Sequence, residues 1–258
     1  MTVHRPFIAA AVQLPANAIA SQARDAVTAA ADRGAELIVL PELFAVRYDP
    51  GPGSIEQAEP MDGPTVATLT GWSRALATKP VLVTSILERN PAGRPFDTGV
   101  VVDHNGLAGS QRKIHLWGDE ARWFAGGDAV APVSTRLGSI GIAICYDAGF
   151  PEVCRRHARQ GADILAVPAA FGAARRYAWC ILTRSRALEN GCVLIAAGLC
   201  GTGPRGREFA GASRIVDPFG EIRAELANDE GLTIADIQPA HIAMARDRIP
   251  YLTDLTLI

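Results

Sequence analysis

Three potentially reactive side chains in this sequence fall at the ends of expected strands: Glu42, Lys113 and Cys145. Cys145 closes Gly138-Ser-Ile-Gly-Ile-Ala-Ile-Cys145, whose glycines and β-branched residues suit a buried strand, and Pro151-Glu152 soon opens a helix. A thiol on such a strand-to-helix turn is fixed by the sheet behind it, and the free N–H groups of the following turn favour developing negative charge. That is a place for covalent catalysis by sulfur, although a free cysteine is more often a small buried hydrophobe. Glu42 follows Leu37-Ile-Val-Leu40 within Pro41-Glu42-Leu43-Phe44, and Lys113 lies in Ser110-Gln-Arg-Lys-Ile-His115. Taken singly, Glu42 reads as an ion-pair partner and Lys113 as a solvated lysine.

The elements that must carry these residues are legible as α/β. Phe7 to Leu14 is a first strand, Ala18 to Gly34 an alanine-rich helix stopped by glycine, and Leu37 to Leu40 a strand covered on both faces. This β-α-β unit leaves Glu42 at a carboxyl end, where open α/β sheets place their sites. Tyr48 to Gly63 reads as a surface loop and Thr65 to Ala77 as a second helix. Val81 to Leu87, Thr98 to Asp103 and the Lys113 segment form an antiparallel meander. Leu116 to Asp128, with two Trp, a Phe and acidic residues, has the composition of a functional loop. Beyond Cys145 come a helix from Pro151 to Gln160, a strand at Ile164 to Val167, a helix at Trp179 to Asn190, and a strand at Val193 to Ala197. Ser213 to Val216 and Leu232 to Ile237 are the last strands, before a helix at His241 to Arg248. Two packed sheets with helices outside satisfy this mixture better than one open sheet.

Composition narrows the function classes. With 258 residues, 48% of them hydrophobic, the chain can bury a large core, and a net charge of -2 argues against a nucleic-acid partner. No apolar run has membrane-spanning length. Five cysteines without CxxC or Cys/His zinc spacing read as reduced thiols in a cytoplasm, with no metal. The sequence runs from Met1 into the first strand without the pattern of a signal peptide.

Pro-Glu-Leu-Phe after an apolar strand, Arg-Lys-Ile-His-Leu in mid-chain and Ile-Cys-Tyr-Asp with Phe-Pro-Glu behind it resemble the three signature blocks of the nitrilase superfamily of carbon-nitrogen hydrolases, in that family's order. Supporting blocks at Arg184 to Asn190, Gly211 to Gly220 and Glu230 to Asp236 extend the resemblance over nearly the whole chain. It implies one carbon-nitrogen hydrolase domain over residues 1–258, folded as a four-layer α-β-β-α sandwich of two mixed β-sheets flanked by helices. It also implies no cofactor and assembly into a homodimer or higher homo-oligomer.

By that resemblance Cys145 is the nucleophile, Glu42 its base, and Lys113 stabilises the oxyanion together with the backbone N–H of Tyr146. Glu120 matches a second family glutamate that orients Lys113 and the leaving group, with Asp119 as its adjacent competitor. The implied reaction is hydrolysis of a small amide or N-carbamoyl compound through a thioester. Relatives that hydrolyse nitriles share the trio but tend to be longer, whereas this chain stops at Leu257-Ile258; a non-catalytic binding member is the other alternative. Tyr48, Trp117, Phe171, Arg175, Arg176 and Trp179 are candidate substrate contacts, the two arginines for a carboxylate. Ala148-Gly149 stands where many relatives carry an arginine, and Ala178 where they often carry a histidine.

Two further patterns compete. Gly201-Thr-Gly-Pro-Arg-Gly206 fits a dinucleotide fingerprint only if a helix begins inside it, which Pro204 and a following strand oppose. His115 or His157 would serve as base in a Cys-His hydrolase, but His157 lies on the helix after the nucleophile and neither is favoured.

Overall fold

The computed structural model describes residues 5–256, so Met1 and Leu257-Ile258 lie outside the described residues. In chain order the elements are β1 (Phe7–Pro15), α1 (Ala20–Asp32), β2 (Ala35–Val39), α2 (Pro64–Ala75), β3 (Val81–Glu88), β4 (Phe96–Asp103), β5 (Gly106–Arg112), α3 (Glu120–Trp123), β6 (Val133–Thr135) and β7 (Gly138–Ile142). They continue with α4 (Pro151–Arg159), β8 (Ile164–Ala169), α5 (Arg176–Leu188), β9 (Val193–Thr202), β10 (Glu208–Ala210), β11 (Arg214–Val216), β12 (Ile222–Glu225), β13 (Gly231–Ile237) and α6 (Pro239–Arg248).

One sheet runs β13-β1-β2-β3-β4-β5 and the other β6-β7-β8-β9-β11-β12. Each repeats the same sequence of pairings across its width: antiparallel, two parallel, two antiparallel. The sheets are joined where the end of β1 pairs with β9, Leu14 opposite Leu199 and Pro15 opposite Cys200.

Period-two burial explains the layering. Ala9, Ala11, Leu37, Val39, Val81 and Val83 turn inward against Ile140, Ile142, Ile164 and Ala166 of the second sheet. Their neighbours Ala10, Val12, Ile38, Leu40 and Leu82 face outward under Ala23 and Val27 of α1 and Val66 and Leu69 of α2. On the far side, Val153 and Cys154 of α4 and Trp179 and Ala187 of α5 cover the second sheet. Each fully buried aliphatic side chain is worth roughly 1.5–3 kcal/mol, so strands apolar on both faces can be satisfied only between two such layers. A Cβ at Gly99 would lie 2.7 Å from Ile142 Cγ2, which shows how closely the sheets approach. The four-layer α-β-β-α sandwich is therefore present.

Several boundaries differ from the sequence reading. Lys113 and His115 lie beyond β5, which stops at Arg112. β9 runs on to Thr202 because its end gains β1 and β10 as partners. The helix expected from Trp179 starts at Arg176, after a 3-10 turn at Ala173–Arg175. Gly201-Thr202 belongs to β9 and a 3-10 turn at Pro204–Gly206 leads to β10, so no helix begins within the glycine-rich motif. Tyr48, expected in a surface loop, is buried. Among the described residues no helix is long and apolar enough to cross a membrane.

Candidate active site

The turn after β2 is pinned by β3. Thr84 Oγ1 donates to the Pro41 carbonyl at 2.7 Å, and the Leu43 N–H donates to Ser85 Oγ at 3.1 Å, with Leu43 in the left-handed region at φ +49°. Glu42 is thereby turned into the interior with no exposed surface. Lys113, equally buried, is held by its backbone, which donates to Asp97 O at 2.8 Å and accepts from Gly127 N at 2.8 Å.

Cys145 opens a 3-10 turn at Cys145–Gly149, and its φ of +47° is strained for a residue with a Cβ, costing on the order of 1 kcal/mol. Asp147 secures that strain. Its buried carboxylate accepts from the backbone N–H of Ile144 at 3.3 Å, Ile114 at 3.4 Å and His115 at 2.8 Å, so one side chain ties the nucleophile turn to the Lys113 segment. Arg186 reaches in from α5, donating to Ala148 O at 2.9 Å and Gly149 O at 3.3 Å. The place lacking an arginine in sequence is thus braced by one from another helix.

These elements bring Glu42, Lys113 and Glu120 into contact. Lys113 Nζ lies 2.6 Å from Glu42 Oε1 and 2.7 Å from Glu120 Oε1. Glu42 Oε2 accepts the Ala170 N–H at 2.7 Å, and Glu120 Oε2 accepts the Trp117 N–H at 2.7 Å. The Tyr48 hydroxyl donates to Glu120 Oε1. Asp119, the competitor for Glu120's place, is exposed on the surface beside Arg122.

Asp97 is the residue missed in sequence: it is buried, with one oxygen 3.6 Å from Lys113 Nζ. Glu42, Asp97 and Glu120 present the spacing of a cation site, and Lys113 already supplies the cation.

The electrostatics follow from burial. Desolvation works against the Lys113 ammonium, but Glu120, Glu42 and Asp97 outweigh it and raise its pKa well above the lysine range. Burial, then the charge of Glu42, raises the Cys145 thiol well above its usual range, while Lys113 opposes them. Burial also raises Glu120, and it raises Tyr48 further. At rest the site therefore holds a charged lysine beside a protonated thiol, and sulfur becomes nucleophilic only as it gives up its proton.

A cavity of about 580 Å³ leads to this cluster, lined by Tyr48, Trp117, Glu120, Ala170, Arg175 and Phe209 among others. Cys145, 5% exposed, does not line the cavity itself; Glu42, Lys113 and Glu120 act on its thiol electrostatically, and Ala170, which does line the cavity, meets it through the backbone. Arg176, Phe171 and Trp179 do not line the cavity. Arg176 donates to Asn228 Oδ1, and Trp179 is core, its Nε1 donating to Ala212 O at 3.1 Å. Tyr146 lies directly after Cys145, its ring packed edge-on against Trp117. Neither histidine is arranged as a base: His115 Nδ1 is 2.9 Å from Asp147 and its ring stacks on Phe150, while His157 bonds the Ile142 carbonyl at 3.0 Å.

The carbon-nitrogen hydrolase family model matches residues 8–247. The chain belongs to the carbon-nitrogen hydrolase family. It is an enzyme of the nitrilase superfamily that hydrolyses a carbon–nitrogen bond, as the three sequence blocks implied. A deaminated glutathione amidase of Synechocystis sp. is 32% identical over 96% of this chain and 97% of its own length. An (R)-stereoselective amidase of a Pseudomonas species is 32% identical over 86% of this hydrolase and 80% of the relative. Among solved structures, a glutamate-to-glutamine mutant of the amidase from Nesterenkonia sp. AN1 superposes with a TM-score of 0.82 at 28% identity, covering 96% of this chain and 93% of that one. That mutant shows covalent addition of the acetamide moiety of fluoroacetamide at its active-site cysteine.

Proposed function

We propose that this hydrolase cleaves a small amide or N-carbamoyl compound through a thioester on Cys145. The observation that carries the reading is one buried ammonium, Lys113, held at 2.6 and 2.7 Å by two glutamates and acting electrostatically on the cysteine. Sγ attacks the carbonyl carbon as the thiol proton passes to Glu42, and the oxyanion is met by Lys113 Nζ and the Tyr146 N–H. Collapse of the tetrahedral intermediate breaks the C–N bond, and Glu42 returns the proton to the departing amine. Water, deprotonated by Glu42, then hydrolyses the thioester and regenerates the thiol. Glu120, fixed by Tyr48 and the Trp117 N–H, keeps Lys113 aimed between base and sulfur.

The names of the amidase relatives support amide over nitrile substrates. The sharing of β1 between both sheets supports a single catalytic domain. Five unpaired cysteines support a reducing, cytoplasmic setting, and an exposed apolar face on α5 supports a homo-oligomer.

The test is intact-mass spectrometry of wild type, Glu42→Gln and Cys145→Ala incubated with amides, carbamoyl compounds and nitriles. An acyl adduct on wild type, absent from Cys145→Ala and lost or greatly slowed in Glu42→Gln, is expected with amides or carbamoyl compounds. Adducts from nitriles alone reverse the substrate order, and undiminished amide turnover by Cys145→Ala removes the mechanism.

A further inference from the structure

Among the charged groups lining the cavity, Arg175 is uncommitted. Its guanidinium lies 3.9 Å over the Trp117 ring and 5.5 Å from the Phe171 ring centroid. Among the described residues no carboxylate comes within ion-pair distance of it, and no hydrogen bond leaves its guanidinium. The other arginine of the wall, Arg207, is shared between Asp49 at 3.5 Å and Asp119 at 4.0 Å. The wall's own acids do not neutralise Arg175: Asp119 faces Arg207 and Arg122, and Glu208 is exposed to solvent.

Stacking on an indole stiffens a guanidinium without using its in-plane N–H donors, which stay free for a bidentate partner. The backbone beneath leaves room for it: a Cβ at Gly172 would lie 3.2 Å from Arg175 Nη2. Trp117 is itself one hydrogen bond from the reacting cluster, through its N–H to Glu120 Oε2 at 2.7 Å. Through the ring and the backbone of this one residue, Arg175 is tied to the Glu120–Lys113 cluster.

We propose that Arg175 is a substrate subsite for a carboxylate, so that the preferred substrates are short amides or carbamoyl compounds carrying a free carboxylate away from the bond that is cut. This rests on the amide-hydrolase reading and specifies its substrate class. Trp117 acts as the platform, and the planar fork of arginine, rather than positive charge alone, does the recognising.

The experiment compares the monoamide of succinic acid with uncharged butyramide on wild type, Arg175→Gln and Arg175→Lys, with succinate as an inhibitor. Wild type is expected to favour the acid-bearing amide, and Arg175→Gln to lower that selectivity ratio by roughly tenfold or more, through KM rather than kcat. Arg175→Lys should fall between the two, and inhibition by succinate should weaken in parallel. An unchanged selectivity ratio in Arg175→Gln, or a loss residing in kcat, overturns the subsite while leaving the amidase reading in place. Absence of both turnover and Cys145 adducts with either amide in wild type overturns the reading and the subsite together.

Discussion

Asp97 brings a third carboxyl to a lysine whose ammonium two glutamates already contact at 2.6 and 2.7 Å. It stands off at 3.6 Å, beyond hydrogen-bond range, and neither of its oxygens has a hydrogen-bond partner. Burial first, and the adjacent Glu42 charge second, raise its carboxyl well above the usual range. Its backbone carbonyl on β4 receives the Lys113 N–H, while its side chain stands back from the ammonium that the two glutamates contact. Asp97→Asn should accordingly keep kcat within roughly threefold of wild type at neutral pH, whereas loss of a working charge would cost on the order of a hundredfold. Steady-state kinetics from pH 6 to 9 decide it, and a hundredfold fall would make Asp97 a charged partner. Nothing local in the sequence marks this residue. It begins an apolar run like any strand-edge polar residue, and its chemistry comes from Glu42 and Lys113 on other elements. Glu42, Lys113 and Cys145, each bland when taken singly, stood out through the family-like blocks around them, and the fold brings Glu42 and Lys113 into contact, whereas Trp179 looked like a contact and is core because aromatic type carries no information about facing.

At the scale of elements, α4 packs on β7 through a histidine that must stay neutral. A Cβ at Gly141 would meet the His157 ring at 2.6 Å, so strand and helix touch there without space for water. His157 Nε2 bonds the Ile142 carbonyl, Nδ1 is buried without a partner, and burial lowers the pKa from 6.5 to about 4. Above pH 6.5 neither the folded nor the unfolded histidine is protonated. Between pH 6.5 and about 4 the unfolded chain takes up a proton that the folded one refuses, so stability falls as pH falls, by roughly 3 kcal/mol in total. His157→Gln, which cannot titrate, should be less stable than wild type at pH 7.5 and close that gap by pH 4.5. Thermal melts across the range measure it, and parallel curves would show that His157 does not titrate in that interval. Elements with their own periodicity or punctuation, such as α1, β2 and α4, were readable in sequence. The three- or four-residue strands β6, β10 and β12 were not, because pairing with distant chain, and not local pattern, makes them strands.

For the whole molecule, β1 is the member common to both sheets, and Gln13 reinforces the seam. Its side chain, with no exposed surface, donates to Ala227 O at 3.2 Å and Asp229 O at 2.7 Å and accepts from Ser213 N at 2.8 Å. With the sheets locked together, an exposed apolar stripe lies outside them, on α5. Tyr177, Ile181 and Leu188 are 70%, 62% and 39% exposed and fall within about 40° of one another on a helical wheel. Trp179, Thr183, Arg186 and Ala187 hold the opposite face against the second sheet and the nucleophile turn. An apolar stripe of this kind is a candidate surface for association, and a twofold pairing of identical helices would cover it in both copies at once. Sedimentation velocity should therefore find wild type heavier than the 27.3 kDa of one chain, and Ile181→Asp shifted towards that mass. Because α5 also carries Arg186 to the Ala148 and Gly149 carbonyls, dissociation should lower amide turnover without changing the Arg175-dependent selectivity. A wild type that sediments as a single chain, or an Ile181→Asp variant that stays assembled, would place the contact elsewhere or remove it.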